Sequence, residues 1–87
     1  MIRAFIPRVL QPLTGEQASI EVDATTVRQL IEKLEVMYPG VKSQLCVNDR
    51  LRPGLAVTVN SNASSLGLRQ PLSPGDEVHF LPAIGGG

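Results

Sequence analysis

The sequence has few aromatic residues, one cysteine and no net charge. Aromatic residues make up 3% of its 87 residues and Trp is absent, so the core must be built from aliphatic side chains. The single cysteine, Cys46, cannot form an internal disulfide, which indicates a reducing, cytoplasmic environment. No apolar run approaches the roughly 20 residues that span a bilayer, and the start of the chain lacks a signal-peptide pattern. We therefore expect no membrane partner.

The charged and titratable residues also exclude several functions. Eight basic and eight acidic residues balance to a formal net charge of zero, and no basic block is present, which argues against a nucleic-acid partner. His79 is the only histidine, so a catalytic triad or a multi-histidine metal site has no basis. The sequence thus predicts no metal site, no bound cofactor and no enzymatic activity of its own.

Alternation between apolar and polar residues predicts a set of short strands. They are expected at residues 2–6, 17–23, 55–59 and 77–81, with a shorter edge strand at 67–70. The residues expected to face inward from the first, second and last strands are Ile2, Ala4, Ile6, Ala18, Ile20, Val22, Val78 and Phe80.

A single long helix is predicted between the second and third strands. Thr26 can cap its start, and Gln29 follows at the capping-box spacing. The Pro39-Gly40 pair ends it. Its apolar stripe comprises Val27, Leu30, Ile31, Leu34 and Tyr38.

The remaining segments are predicted to connect these elements. Residues 41–45 could form a short helical turn, and 12–16 are expected to be a connection with a glycine turn. Residues 48–54 and 60–65 are expected to be loops, and Pro74-Gly75 a tight turn.

This order of elements restricts the fold. Right-handed crossovers leave few ways to pack several strands around one helix. The economical arrangement places the helix across one face of a mixed sheet of four to five strands, with the first and last strands parallel and adjacent at its centre. This is the β-grasp, the fold of ubiquitin, an α+β architecture. We expect one domain over residues 1–82 and a flexible tail over residues 83–87.

The two ends of the chain show a likeness to a known family. The closing stretch resembles the ubiquitin-like sulfur carriers of the MoaD/ThiS type, which have a Gly-Asp turn, an apolar strand, proline and a terminal Gly-Gly. In this sequence that stretch is Leu72-Ser73-Pro74-Gly75-Asp76-Glu77-Val78-His79-Phe80-Leu81-Pro82-Ala83-Ile84-Gly85-Gly86-Gly87. The opening resembles the CysO branch, which serves cysteine synthesis, at Ile6-Pro7, Leu10, Pro12, Thr14-Gly15 and Gln17. Gly85 departs from the Ala or Ser that is more usual in the family.

The resemblance implies a carrier on which two enzymes act. An E1-like adenylating and sulfurtransferase partner would use ATP to adenylate the C-terminal carboxylate of Gly87 and convert it to a thiocarboxylate. A sulfur-accepting synthase would then draw sulfur from it. That acceptor would be of the cysteine synthase type, or else the large subunit of molybdopterin synthase.

The chemistry of the tail agrees with this assignment. A terminal carboxylate has a pKa near 3.5, so Gly87 would be ionised at neutral pH without a side-chain base. Glycine lacks a Cβ, so Gly85 and Gly86 would let the tail approach the walls of a partner's active site. We expect Ile84, Gly85 and Gly86 to contact the partner. The alternative is that the glycines are only a frayed end.

A second partner contact is expected on the outer face of the sheet. Phe5 lies on that face of the first strand, and His79 and Leu81 lie on that face of the last. In a β-grasp these strands are neighbours, so the three side chains would form one partly apolar patch, a feature that marks binding surfaces. The alternative is that Phe5 only covers loop residues.

Four other functions remain open from sequence. Within the family, the chain could be the small subunit of molybdopterin synthase or a carrier for thiazole synthesis. From another class, it could be a protein modifier joined to lysines as ubiquitin is. It could also be an interaction module with an inert tail.

Overall fold

A computed structural model of the protein describes residues 1–82, and side chains through Leu81. Its main sheet has five strands in the spatial order β2-β1-β7-β5-β6, and a separate two-stranded hairpin pairs β3 with β4. The strands are β1 Ile2–Phe5, β2 Ser19–Val22, β3 Cys46–Val47, β4 Arg50–Leu51, β5 Leu55–Val59, β6 Asn62–Ala63 and β7 Glu77–Pro82. The helices are α1 Val27–Met37, the short α2 Val41–Leu45 and two 3₁₀-helices, Arg8–Thr14 and Gly67–Arg69.

The first and last strands lie side by side in the middle of the sheet. β1 pairs antiparallel with β2 and parallel with β7, with Phe5 opposite His79. On its other side β7 pairs antiparallel with β5. This parallel central pair, with α1 following β2, confirms the predicted β-grasp.

Helix α1 begins and packs as its sequence pattern predicts. The Thr26 hydroxyl accepts a hydrogen bond from the Gln29 backbone N–H at 3.1 Å. The Gln29 side chain reaches back to accept the N–H of Thr25 at 2.8 Å, one residue earlier than in a standard capping box. The predicted stripe is confirmed, because Val27, Leu30, Ile31 and Leu34 are all buried, and Tyr38 packs partly buried against the same core.

The core lies between α1 and the inner face of the sheet. It is almost entirely aliphatic, and Phe80 is its one aromatic member among the buried residues of the described chain. Of the predicted inward-facing residues, all but Ala18 are buried. Ala18 is exposed because it lies beyond the ends of both β1 and β2, at the level of Ile6, where the chain leaves the sheet.

The predicted edge strand at residues 67–70 is wrong. That segment contains the 3₁₀-helix Gly67–Arg69, and the edge strand is β6, inside the polar run expected to be a loop. Asn60 and Ser61 have φ values of 50° and 72°, the left-handed conformation of a two-residue type I′ hairpin turn. Polar composition concealed this hairpin, because its stabilising feature is turn geometry rather than apolar alternation.

Two further segments are more ordered than predicted. Residues 48–54 contain the second strand of the β3–β4 hairpin, whose turn residues Asn48 and Asp49 also have positive φ. The 3₁₀-helix Arg8–Thr14 occupies most of the expected connection and continues through Pro12. Gly15, with φ of 64°, ends this helix in the left-handed conformation expected of a glycine turn. The predicted short helix at 41–45 is confirmed as α2.

None of the helices in the described part of the chain has the length and apolar composition needed to span a membrane.

Truncating the buried face of α1 should destabilise the fold. Leu30 and Leu34 are both 0% exposed, so Leu30→Ala or Leu34→Ala is expected to cost about 2–5 kcal/mol of unfolding free energy. Val36→Ala is the matched control on the same helix, since Val36 is 82% exposed and its truncation should change stability by less than about 0.5 kcal/mol. Urea unfolding curves measure all three, and equal stability of the leucine variants and the control would contradict the assigned helix face.

Candidate functional site

The candidate site begins at the C-terminal end of β7. Residues 77–79 of this strand pair with β1, and residues 78–82 pair with β5. Pro82, the last described residue, lies opposite Leu55, and Leu81 lies opposite Ala56. The base of the predicted tail is therefore held in the central strand of the sheet. The predicted site residues Ile84, Gly85, Gly86 and Gly87 lie outside the described residues.

A tight turn fixes the start of β7. Ser73 accepts the N–H of Asp76 at 3.0 Å across the turn, and Gly75 has φ of 92°, as position three of a type II turn requires. The Gly75 N–H donates to the carbonyl of Met1 at 2.9 Å. The predicted Pro74-Gly75 turn thus also joins β7 to the beginning of β1.

Asp76 connects this turn to the neighbouring β5–β6 hairpin. Its carboxylate accepts the backbone N–H of Ser73 at 2.8 Å and the side-chain amide of Asn60 at 2.9 Å. The Asn60 side-chain oxygen in turn accepts the N–H of Glu77 at 2.9 Å. The Ser73 N–H, and then the Asn60 amide, lower the pKa of Asp76 because they stabilise its charged form. Asp76 therefore caps the turn that precedes β7.

The outer face of the sheet brings the three predicted patch residues close together. The rings of Phe5 and His79 stack with centroids 4.1 Å apart and planes at 4°. Leu81 lies two residues further along β7, hence on the same face, and is 44% exposed. Phe5 therefore packs across the two central strands, and an apolar surface adjoins the base of the tail. Its role in binding a partner stays a prediction.

Known proteins share both the sequence pattern and the fold of this chain. The model of the ThiS family matches residues 5–87. The chain belongs to the ThiS family. The sulfur carrier protein CysO of Mycobacterium tuberculosis is 35% identical over 93 residues, which cover 99% of this chain and 98% of that protein.

Solved structures agree with this membership of the ThiS family. A chain of the Amycolatopsis orientalis BexX/CysO complex matches with a TM-score of 0.90 and 31% identity, covering 100% of both chains. The crystal structure of Mycobacterium tuberculosis CysO matches with a TM-score of 0.87 and 30% identity, over 97% of this chain and 100% of that chain. The expected family and the fold of its CysO branch are thus confirmed.

The structure adds two residues to the outer patch that the sequence analysis missed. Ala56 lies opposite Leu81, and Thr58 lies opposite His79, both on β5. Strand β5 itself was predicted, and its alternation already indicated that Ala56 and Thr58 share a face. Its register against β7 depends on long-range pairing that one sequence does not reveal.

Cys46 does not belong to the candidate site of this ThiS-family protein. It is buried, with 9% of its surface exposed, and belongs to the core as a small apolar residue. Burial raises the pKa of its thiol and disfavours the reactive thiolate. Within residues 1–82, no three His, Cys, Asp or Glu side chains gather as a metal site would need.

The Asp76 turn should make the protein lose stability in acid. A carboxyl pKa that is lowered in the folded state contributes stability above its unfolded pKa of about 3.9, and this contribution disappears as pH falls through the lower folded value. Asp76→Asn should therefore destabilise the protein at neutral pH, and the difference from wild type should shrink as the pH falls below the unfolded pKa of Asp and through the lower folded value. Urea unfolding at neutral pH and in acid measures this, and an equal difference at both would mean that the charge of Asp76 contributes nothing.

Proposed function

We propose that this protein is a sulfur carrier that bears sulfur as a thiocarboxylate on the carbonyl carbon of Gly87. The observation that supports this most strongly is similarity to the sulfur carrier protein CysO over nearly the whole of both chains. The family match also extends through residue 87, so it includes the glycines on which the chemistry would occur.

The proposed loading takes place in two steps on a partner enzyme. A carboxylate oxygen of Gly87 attacks the α-phosphorus of ATP, and pyrophosphate leaves. A sulfide-equivalent donor then attacks the acyl carbon of the adenylate, and AMP leaves with the electron pair of the broken C–O bond. The carboxylate is ionised at neutral pH, so this carrier supplies no base of its own. ATP would be bound by the partner, and the carrier would hold no cofactor.

Sulfur is proposed to pass from Gly87 to an enzyme of the cysteine synthase type. This assignment rests on the likeness of the chain to CysO, whose branch was also indicated by the opening residues. Nothing comparable favours molybdopterin synthesis, thiazole synthesis or conjugation to target proteins. We also propose a cytoplasmic location, in keeping with a single cysteine that has no partner for a disulfide.

Docking on the partner enzymes is proposed to use the outer sheet face together with the tail. The patch of Phe5, His79 and Leu81 adjoins the base of the tail, so one partner could hold both. A CysO has been crystallised in a complex with BexX, which supports the idea that such carriers form stable complexes. The inner face is filled by α1 and cannot serve this purpose.

Incubation with an E1-like activating enzyme, ATP and a sulfide donor should load Gly87. One carboxylate oxygen is replaced by sulfur, so intact mass spectrometry should show the corresponding increase of about 16 Da, and omission of ATP should prevent it. A mass that never changes with any of several such activators would remove the main support for the carrier function.

Two tail variants show whether the loading depends on a narrow channel. Gly86→Val should leave thermal unfolding unchanged and slow adenylation, because a β-branched side chain at this position is bulky and stiff. Deletion of Gly86 and Gly87 should abolish loading and leave a folded domain. Loading of Gly86→Val at the wild-type rate would show that the tail does not pass through a narrow channel of the enzyme. Unfolding of the truncated chain would show that the tail is needed for the fold.

Polar substitution of the outer patch should weaken binding to the activating enzyme. We expect the double variant Phe5→Ser, Leu81→Ser to lose affinity because an apolar contact next to the tail is removed. Val36→Ser is the control, since Val36 is an exposed apolar residue on the opposite, helical side. Calorimetric titration measures both, with urea unfolding to verify the fold, and wild-type affinity of a folded double variant would reject the patch.

A further inference from the structure

A cavity of about 380 Å³ opens on the helical side of the molecule, away from the five-stranded sheet. The start of α1, the β3–β4 hairpin and the 3₁₀-helix Gly67–Arg69 surround it. None of its lining residues belongs to the five-stranded sheet, so its occupation would leave the outer face free. They are Arg28, Asp49, Arg50, Leu51, Ser65, Leu66, Gly67, Leu68 and Arg69.

The cavity concentrates positive charge in a protein whose formal net charge is zero. Three arginines line it, against one carboxylate. That carboxylate, Asp49, is bound by Arg28 at 3.0 Å, and the guanidinium keeps its pKa below the ordinary value. Within residues 1–82 neither Arg50 nor Arg69 lies within ion-pair distance of a carboxylate. Two guanidinium groups thus remain for an anionic ligand.

The apolar part of the lining distinguishes between anionic ligands. Leu66 is 44% exposed, Leu51 is partly buried and Leu68 is buried beneath them. A hydrated phosphate would satisfy the arginines and leave the leucine surface in contact with water. A peptide segment can place an apolar side chain on the leucines while acidic side chains on either side meet the arginines.

We propose that this cavity, lined by Arg50, Arg69 and Leu66, binds an acidic segment of a protein partner that carries one apolar side chain between its carboxylates. Charge complementarity sets the orientation of the segment, and the leucine surface provides the contact area. Because the cavity is separate from the outer sheet face, this binding does not depend on the sulfur-carrier function.

The probe is a synthetic peptide with the sequence acetyl-Asp-Glu-Leu-Glu-Asp-amide, titrated into the ¹⁵N-labelled full chain. Amide shifts should change mainly at residues 49–51 and 65–69, and should weaken as salt rises from about 0.02 to 0.2 M because screening increases. A peptide with Asn and Gln in place of the acidic residues should not bind. Shifts confined to the outer face, or none at millimolar peptide, would overturn the proposal.

Matched charge reversals separate the cavity from general attraction. Arg69→Glu and Arg8→Glu each reverse an exposed arginine at the end of a 3₁₀-helix, but only Arg69 lines the cavity. Arg69→Glu should weaken peptide affinity about fivefold or more, and Arg8→Glu much less. Equal losses in the two variants would contradict a specific site. Urea unfolding of each variant verifies that the domain is intact.

Two further comparisons test the apolar contact and the ligand class. Leu66→Ala should weaken the leucine-containing peptide and leave unchanged the affinity of a peptide with Gly at the central position. Inorganic pyrophosphate should bind more weakly than the acidic peptide. Tighter binding of pyrophosphate, with shifts at the same residues, would show a phosphate site and overturn the proposed protein segment.

Discussion

The pairing of β7 between β1 and β5 is the constraint on which the rest of the structure depends. The last strand of the chain is parallel to the first and hydrogen-bonded on both sides, so the fold closes only when both ends of the chain are present. The Gly75 N–H to Met1 carbonyl bond and the Arg3 N–H to Asp76 carbonyl bond, each 2.9 Å long, fix the register at the start of this pair. Such a non-local closure must overcome the loop-closure entropy of the long chain segment between β1 and β7.

Because β7 lies at the centre of the sheet, the side chains on its two faces have different surroundings. Val78 and Phe80 face α1 and complete the core, whereas His79 and Leu81 face outward beside Phe5. Because successive strand residues alternate, each apolar residue that β7 contributes to the core is followed by one on the outer face of the sheet. A domain of this size has few residues to spare, and this alternation lets one strand support the fold, the surface patch and the chain end together.

The elements with a regular apolar period and the turns marked by Pro74-Gly75 and Gly15 could be predicted, whereas the hairpins that turn on non-glycine residues could not. The α1 stripe of Val27, Leu30, Ile31 and Leu34 follows the helical period, and Ile2, Ala4, Val78 and Phe80 follow the strand period, which together indicated the fold. The turns at Asn48-Asp49 and Asn60-Ser61 depend on left-handed backbone in polar residues, so the hairpins around them were taken for loops.

The outer patch was predictable in part, because adjacency of β1 and β7 follows from topology. The contributions of Ala56 and Thr58 and the arginine-lined cavity depend on long-range packing, which no local period encodes.

The proposed function places the reactivity at the end of the chain and not on a side chain. The described side chains provide no activated nucleophile: burial raises the pKa of the Cys46 thiol, and His79 is held against Phe5 by ring stacking. In the proposed function the reacting group is a main-chain carboxylate, whose charge at neutral pH needs no tuning by neighbours.

The domain then contributes recognition and orientation, which depend on the rigidity of β7 up to Pro82 and on surfaces that partners can hold. The domain has two such surfaces. The apolar patch lies on the outer face of the sheet, and the arginine-lined cavity lies on the helical side of the molecule. They share no residue, so both could be occupied at once. On the proposed function, a partner held at the arginines would leave the outer face of the sheet free for a second partner.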